Sequence, residues 1–172
     1  AVAPYCENFD SGVPADWTNA GWILNSAGTP SNYTGPSDDI TGGGNYMYYE
    51  TSTGYSPTVT LTSLCLDVSA LTTPLLSFYN HMYGATMGTL DVYVNGTNVW
   101  SMSGNQGNQW NFAEVNLSAF AGSTNITIAF EGIYGGSYTG DMAIDNVCVD
   151  EYNTPSPQIN SISPNNGNQG QT

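Results

Sequence analysis

Short runs in which apolar and polar residues alternate recur along this 172-residue chain. In the clearest run, Leu90, Val92 and Val94 share one face while Asp91 and Tyr93 share the other. A period of two is typical of a β-strand with one buried face. Similar runs occur near residues 5–9, 46–50, 58–68, 75–82, 113–117, 126–131 and 142–149. No segment has helical periodicity, so the pattern predicts an all-β chain.

Turn signals separate these runs. Asn95-Gly96 predicts a tight hairpin, because both residues tolerate a positive φ. Between residues 58 and 68 the apolar positions change parity, which predicts a bulge or a strand that moves from one sheet to the other. On the order of ten short strands with turns between them favour an antiparallel β-sandwich with jelly-roll topology.

The composition of the chain changes after Val149. Residues 152–157 contain two prolines and predict a linker, and residues 158–164 predict one further strand. A lone strand cannot bury its own apolar face. We therefore expect one domain over residues 1–152, whereas residues 153–172 are disordered, docked on that domain, or the start of a following one.

The charge of the chain is one-sided, with 14 acidic residues, no Lys or Arg and a net charge of −14. Binding of nucleic acid or of anionic lipid depends on basic side chains, so both partners are excluded. No apolar run approaches the roughly 20 residues that span a bilayer, and we expect no direct membrane insertion. A buried carboxylate in this chain must accept hydrogen bonds, stay neutral or bind a cation from solution.

Asp145 is the acid for which this choice matters most. It lies in a run, residues 141–149, that is apolar on both faces, as a central strand would be. If the first and last strands pair antiparallel, Asp10 comes close to Asp145, and the same pairing brings Cys6 close to Cys148. The three cysteines otherwise allow any one of three disulfides, or three buried free thiols.

Asp39, in a loop flanked by Gly and Pro, is the natural third member of this acidic group. Oxygen ligands from loops and strand ends suit Ca²⁺, so Asp10, Asp39 and Asp145 predict a structural calcium site. Asp141 is a weaker candidate that could simply begin the strand. The alternatives are an Asx turn at Asp39 and hydrogen bonds from backbone N–H groups to the other carboxylates.

The sequence offers no catalytic set. His81 is the only histidine, and no spacing of Cys and His supplies the three or four ligands of a zinc site. Gly-x-Ser-x-Gly does not occur, which disfavours a Ser-His-Asp hydrolase, and we expect His81 to be structural. Tyr55, Tyr134 and Tyr138 fall in Gly- and Ser-rich loops and are candidate ligand contacts, with loop packing as the alternative.

Five blocks of sequence, spread in order over residues 6–149, carry a family resemblance. They are Cys6-Glu7-Asn8-Phe9-Asp10 with Trp17; Gly35-Pro36-Ser37-Asp38-Asp39-Ile40-Thr41 with Tyr46-Met47-Tyr48; Leu76-Ser77-Phe78-Tyr79-Asn80-His81-Met82-Tyr83-Gly84 with Met87-Gly88; Gly104-Asn105-Gln106-Gly107 with Trp110; and Gly140-Asp141-Met142-Ala143-Ile144-Asp145-Asn146-Val147. Through these blocks the chain resembles the MAM domain, an extracellular β-jelly-roll module. The resemblance also implies a structural cation at the matching positions.

Two further features refine the resemblance. MAM domains of animal receptors usually carry four cysteines, whereas this chain has three at different positions, which is more similar to the bacterial branch of the family. Residues 157–167 resemble the opening of a TIG-type (IPT) immunoglobulin-like domain, which implies a longer, multidomain parent protein.

These observations predict a non-catalytic adhesion or binding module of a bacterial cell-surface or secreted protein. Such a module is extracellular and contacts other surface proteins or glycans. Two alternatives stay open. The chain could be a structural repeat or filament subunit whose C-terminal strand adds to another copy of itself, or a carbohydrate-binding module attached to a secreted enzyme.

Overall fold

The computed structural model describes residues 1–52 and 56–152, whose regular secondary structure is almost entirely β-strand. The strands are β1 (Tyr5–Glu7), β2 (Thr18–Ala20), β3 (Ile23–Asn25), β4 (Tyr46–Tyr49), β5 (Thr58–Thr62), β6 (Pro74–Met82), β7 (Thr89–Val94), β8 (Thr97–Ser103), β9 (Trp110–Asn116), β10 (Ile128–Ile133) and β11 (Met142–Glu151). One short 3₁₀ helix, Ser118–Phe120, follows β9. The sequence-based prediction of an all-β chain is confirmed.

Two antiparallel sheets build the domain. One has the order β3-β4-β11-β6-β9, with β1 paired to β11, and the other has the order β2-β5-β10-β7-β8. From β4 to β11 the strands occupy the two sheets in the order of a jelly roll, so that β4, β11, β6 and β9 face β5, β10, β7 and β8. The predicted sandwich with jelly-roll topology is therefore confirmed.

The core lies between the two sheets and contains the inward residues that alternation predicted. Leu90, Val92 and Val94 are fully buried. Phe78 makes edge-to-face contacts with Phe130 and Trp100, with ring centroids 5.2 and 5.1 Å apart. Aromatic pairs in this geometry add stability beyond the burial of their area.

The predicted turn is present, whereas the parity change falls where β5 ends and not at the predicted bulge or sheet-switching strand. Asn95 and Gly96 join β7 to β8 with φ values of 48° and 79°, as a two-residue hairpin turn requires. β5 ends at Thr62, and Leu66 then forms an isolated bridge with Ile126. The slip in apolar parity thus marks the end of a strand.

β1 and β11 close the fold by pairing the beginning of the domain with its end. They are antiparallel, and Cys6 lies opposite Cys148 with the two sulfurs 2.09 Å apart. Cys65 is free and exposed. Of the pairings that the sequence allowed, the structure contains the one expected from the first and last strands.

The segment between β3 and β4, residues 26–45, packs over the outer face of the six-stranded sheet, and we call it the cover loop. Beneath it lies a second apolar cluster of Tyr46, Tyr48 and Ala143, with Trp110 packed against it. Trp110 Nε1 donates to the carbonyl of Asp38 at 3.1 Å, which fixes the loop to the sheet. The described residues include no helix long and apolar enough to cross a membrane.

The disulfide gives a first testable prediction. Replacing Cys148 with Ser should lower the free energy of unfolding by about 3–5 kcal/mol, because the bond closes a loop across 142 positions of the chain. Urea denaturation of the purified protein measures the change. Cys65→Ser, at the exposed free thiol, is the matched control and should change stability by less than about 0.5 kcal/mol. Equal effects of the two substitutions would contradict the pairing.

Candidate functional site

The candidate site lies where β11 exchanges one neighbouring strand for another. β4 pairs with Met142–Ile144, and β1 pairs with Val147–Val149 along the same strand. The register with β6 shifts between Asp145 and Cys148, and Asn146 has a φ of 48°. This irregularity is a β-bulge, which re-aims side chains and is common beside functional sites. Asp145 therefore lies in the gap between two partners of the central strand.

The carboxylate of Asp145 is almost completely buried, with 1% of the residue exposed. Its Oδ2 accepts a hydrogen bond from the backbone N–H of Ile40 at 3.2 Å, and Oδ1 accepts one from Asn146 at 2.7 Å. Burial, with smaller contributions from the neighbouring charges of Asp39 and Asp10, raises the pKa of Asp145 to about 6, although the two hydrogen bonds act in the opposite direction. The site thus disfavours a negative charge that has no cation beside it.

Asp39 is held in the charged form by its own loop. Its Oδ2 accepts from the backbone N–H of Thr41 at 2.9 Å and from the Thr41 hydroxyl, and its Oδ1 accepts from Gly44 N–H at 2.8 Å. Burial opposes ionisation, but these hydrogen bonds outweigh it and lower the pKa of Asp39 to about 2. The contact to Thr41, two residues later, is the Asx turn that the sequence offered as the alternative to a metal ligand.

Asp10 reaches the same place from the end of β1. Its Oδ1 accepts from Asn45 N–H at 2.9 Å, and its Oδ2 accepts from Asn8 Nδ2 at 2.7 Å. A Cβ built on Gly44 would lie 2.1 Å from Asp10 Oδ1 and 2.9 Å from Asp39 Oδ2. The carboxylates of Asp10 and Asp39 therefore converge beside Gly44, where only a glycine leaves room for both.

The structure brings three of the four predicted acids together, in what we call the acidic trio of Asp10, Asp39 and Asp145. Every oxygen of the trio already accepts a hydrogen bond, yet a carboxylate has about four acceptor positions, so several remain. In residues 1–52 and 56–152, no group of three or more His, Cys, Asp or Glu side chains has the arrangement of a metal site. The donor chemistry fits a hard cation such as Ca²⁺, but its ligand shell would need main-chain carbonyls or water as well.

An open polar cavity of about 420 Å³ lies beside the trio. It is lined by Asp10, Ser26, Asn45 and the segment 41–44. Thr41 and Gly44 were not among the predicted site residues. Asp39-Ile40-Thr41 is nevertheless a local signal for a turn, and Gly42-Gly43-Gly44 is one for a close approach of backbone to side chains. These two residues shape the trio as much as the acids do.

Asp141 lies apart from the trio. It is fully buried at the start of β11, where Oδ1 accepts from the backbone N–H and the hydroxyl of Thr51, both at 2.9 Å. Its Oδ2 is buried and has no hydrogen-bond partner within the described part of the chain. Burial raises the pKa of Asp141. Its contacts are those of a strand-starting residue, which was the alternative to a ligand role.

His81 has the structural surroundings that the sequence argument favoured. The residue is 2% exposed, and its Nε2 lies 3.1 Å from Asn108 Oδ1, so the ring donates from Nε2. Burial lowers the pKa of His81 to about 4, which keeps the ring neutral at pH 7. Trp110 packs edge-to-face on it with ring centroids 5.5 Å apart.

Of the three candidate tyrosines, the two in the described residues differ in exposure. Tyr134 is half-buried against the main core, and its N–H donates to the Pro57 carbonyl at 3.0 Å, so loop packing describes it. Tyr138 is 53% exposed. Tyr55 lies outside the described residues.

Comparison with known proteins identifies the family. The model of the MAM domain (meprin/A5/mu) matches residues 7–154. This chain belongs to the MAM domain family. The chicken (Gallus gallus) MAM domain-containing glycosylphosphatidylinositol anchor protein 1 is 36% identical over 162 residues, which cover 84% of this chain and 16% of that protein. The human protein of the same name is 36% identical over 161 residues, or 83% of this chain and 16% of its own length.

The MAM assignment agrees with the structural neighbours at the level of the fold. The K1 cleaved adhesin domain of Lys-gingipain from Porphyromonas gingivalis W83 superposes with a TM-score of 0.62 at 17% identity, covering 87% of this chain and 98% of that one. TmCBM61, solved in complex with β-1,4-galactotriose, has a TM-score of 0.54 at 17% identity and covers 84% of this chain and 94% of its own. Sandwiches of this shape thus occur among adhesin and carbohydrate-binding domains.

The relatives also limit what the family resemblance implied. The chain spans about one sixth of the length of the chicken and human relatives, so it corresponds to one module of those proteins. Both of these relatives are animal proteins, and they do not support the expected bacterial branch. The TIG-like segment and the linker, residues 153–172, lie outside the described residues.

The crowding at Gly44 gives a second prediction. Gly44→Ala should lower the free energy of unfolding by about 1–3 kcal/mol, because the new methyl group displaces the carboxylates of Asp10 and Asp39. Gly28→Ala is the matched control, since its Cβ would meet nothing closer than 3.8 Å. Chemical denaturation of both variants measures the difference, and a neutral Gly44→Ala would show that the trio is not packed as described.

The neutral state of His81 gives a third prediction. Its folded-state pKa of about 4 is below the ordinary value of 6.5, so the unfolded chain binds the extra proton first as the pH falls. Stability should therefore decrease between pH 6.5 and pH 4, by about 3 kcal/mol in total from this group. The measurement is denaturant unfolding across that range for the wild type and for His81→Gln. Asp145 titrates in both proteins, so the difference between the curves isolates the histidine, and parallel curves would contradict the prediction.

Proposed function

We propose that this chain is an extracellular, non-catalytic binding module of a larger secreted or cell-surface protein, with a role in adhesion. The observation that carries the proposal is the MAM family match over residues 7–154. It is supported by relatives that are named as glycosylphosphatidylinositol anchor proteins, because such an anchor holds a protein at the cell surface. The only histidine is buried and neutral, which leaves the described residues without an accessible general base of that type.

Partners of such a module are other surface proteins, glycans or further copies of the chain. The net charge of −14 without Lys or Arg disfavours nucleic acid and anionic lipid as partners. Assembly through a C-terminal strand would use Ile159 and Ile162, which lie outside the described residues. A specific pocket in the cover loop favours the carbohydrate alternative.

Adhesion can be tested with beads that carry the whole 172-residue chain. We expect these beads to be captured by cultured animal cells several-fold more than beads that carry an unrelated protein of similar net charge. Bead-to-bead aggregation in the absence of cells reports self-association separately. Capture no greater than that of the control beads, combined with no aggregation, would contradict the binding role.

We further propose that a Ca²⁺ ion bound at the acidic trio stabilises the fold. Three neighbouring carboxylates repel one another. Burial and, to a smaller extent, this repulsion raise the pKa of Asp145. No Lys or Arg exists in the chain to relieve it, and Ca²⁺ prefers carboxylate and carbonyl oxygens in flexible geometry. Asp10, Asp39 and Asp145 would hold the ion from β1, the cover loop and β11, and so join these three elements.

The calcium proposal predicts a shift in thermal stability. Millimolar Ca²⁺ should raise the Tm by about 5–10 °C relative to EDTA, because an ion at about 100 times its Kd stabilises the folded state by about 2.7 kcal/mol. Differential scanning calorimetry measures the Tm, and Mg²⁺ should have a smaller effect. Asp39→Asn should lose most of the shift, whereas Asp16→Asn, at an exposed acid, should keep it. The same Tm in Ca²⁺ and EDTA would refute the proposal.

A further inference from the structure

We propose that a pocket between the cover loop and the end of β6 binds one uncharged sugar unit of a glycan chain. We call it the loop pocket; it is lined by residues 28, 29 and 31–37 of the cover loop together with Tyr83 and Asn108. It is a different place from the acidic trio, whose cavity is lined by other residues. The proposal rests on the binding role proposed above and names a ligand class for it.

The size of the loop pocket suits a small ligand. Its volume is about 220 Å³. Pockets that enclose drug-sized ligands have roughly 300–1,000 Å³, so this one accommodates about one monosaccharide and leaves the rest of a glycan chain in solvent.

The walls of the pocket are fixed before any ligand arrives. Gly35 N–H donates to the carbonyl of Tyr83 at 3.3 Å, and Thr29 N–H donates to that of Pro36 at 3.4 Å. The hydroxyl of Thr34 accepts from Asp141 N–H at 2.8 Å, which ties the loop to the start of β11. Gly35 has a φ of 65°, and a Cβ there would lie 2.4 Å from the Thr29 hydroxyl. A site organised in advance loses less entropy on binding.

The polar side chains that line the pocket carry hydroxyl and amide groups, and none of them is Asp, Glu, His, Lys or Arg. Ser31, Asn32 and Ser37 supply both donors and acceptors, which is the inventory that sugar hydroxyls require. Oδ1 of Asn108 accepts a hydrogen bond from Nε2 of His81, whose ring is neutral and buried. This contact orients the Asn108 amide, and its Nδ2 group remains as a donor for a ligand. These groups would hydrogen-bond the ligand without adding charge.

Tyr33 provides an aromatic surface at the pocket. Its side chain is 77% exposed, the most exposed large aromatic in the described residues, and its backbone has a left-handed φ of 65°. That conformation is uncommon for a bulky residue and is held here by the closed loop. The ring stays in water, although covering it would be favourable. The apolar face of a pyranose would cover it while its hydroxyls meet the polar lining.

The charge of the chain selects between classes of glycan. With 14 acids and no Lys or Arg, the protein repels sulfate and uronate groups, most strongly at low ionic strength. We therefore expect neutral sugars to bind in preference to anionic ones.

The experiment titrates defined oligosaccharides into the whole chain, produced in a bacterial host so that the Asn32-Tyr33-Thr34 sequon stays unmodified. The neutral probes are β-1,4-galactotriose, cellohexaose, xylohexaose, mannohexaose and N-acetylchitohexaose. Oligogalacturonate and carrageenan oligosaccharides are the anionic comparison probes. Choline is the cationic one. Calorimetry measures affinity, and amide shifts in ¹⁵N-correlated NMR spectra locate the site. We expect at least one neutral probe to bind, with shifts confined to residues 28–37, Tyr83 and Asn108.

Substitutions then test the pocket itself. Tyr33→Asn removes the ring but keeps a residue that tolerates a positive φ, and it should weaken binding at least tenfold. Ser37→Trp, at an exposed position, should block the pocket to a similar extent. Tyr138→Ala removes an exposed tyrosine outside the pocket and should change affinity less than twofold. Unchanged thermal melting of each variant excludes misfolding as the cause.

Several results would overturn the proposal: no binding of any neutral probe, preference for the anionic probes or choline, NMR shifts elsewhere, or full affinity in Tyr33→Asn and Ser37→Trp. The bead assay distinguishes this failure from failure of the proposed function. If wild-type and Tyr33→Asn beads are captured equally by cells, the module binds through another surface. If wild-type beads are neither captured nor aggregate with one another, the binding role itself is wrong.

Discussion

The fold depends on the pairing of β11 with three other strands. β6 runs along one edge, while β4 and β1 share the other and leave Asp145 between them. Because the neighbour of β11 changes from β4 to β1 at Asp145, the backbone hydrogen bonds along this edge are interrupted. The Asp145 carboxylate lies at the interruption. The cover loop then supplies part of what is missing, through the N–H group of Ile40. The acidic trio is thus a consequence of how the last strand is shared.

The cover loop links the two candidate sites. It carries Asp39 near its C-terminal end and most of the loop pocket nearer its N-terminal end, and Trp110 anchors it between them through the Asp38 carbonyl. Its outer position over Tyr46, Tyr48 and Ala143 gives the six-stranded sheet apolar residues on both faces. This second apolar cluster gives the twenty-residue loop a packed surface on the sheet, in addition to its hydrogen bonds to β11 and Trp110.

Much of the sandwich could be predicted from the sequence, because alternation, the Asn95-Gly96 turn and the parity change after β5 are local signals. The pairing of β1 with β11 followed from one long-range argument that placed two acids and two cysteines in nearly the same register. The neighbourhood of Asp10 and Asp145 was predicted for the same reason, whereas Asp39 was added because it lies in a loop flanked by Gly and Pro. For Asp141 the sequence left a ligand role and a strand-starting role open, because its partner Thr51 lies 90 positions away and follows no sequence pattern. The loop pocket was also missed: Tyr33 and Asn108 come from distant segments, and only the folded cover loop brings them together.

The joining of β1 to β11 also has a mechanical meaning. Tyr5 and Val149 lie side by side in β1 and β11, close to the two ends of the domain, and the Cys6–Cys148 bond joins these strands one residue further in. Tension applied between these two points would pass through a covalent link and would bypass the hydrogen-bonded sheets. In a longer chain under load, the residues between Cys6 and Cys148 would therefore bear little of the tension. The loops of the sandwich would keep their conformation.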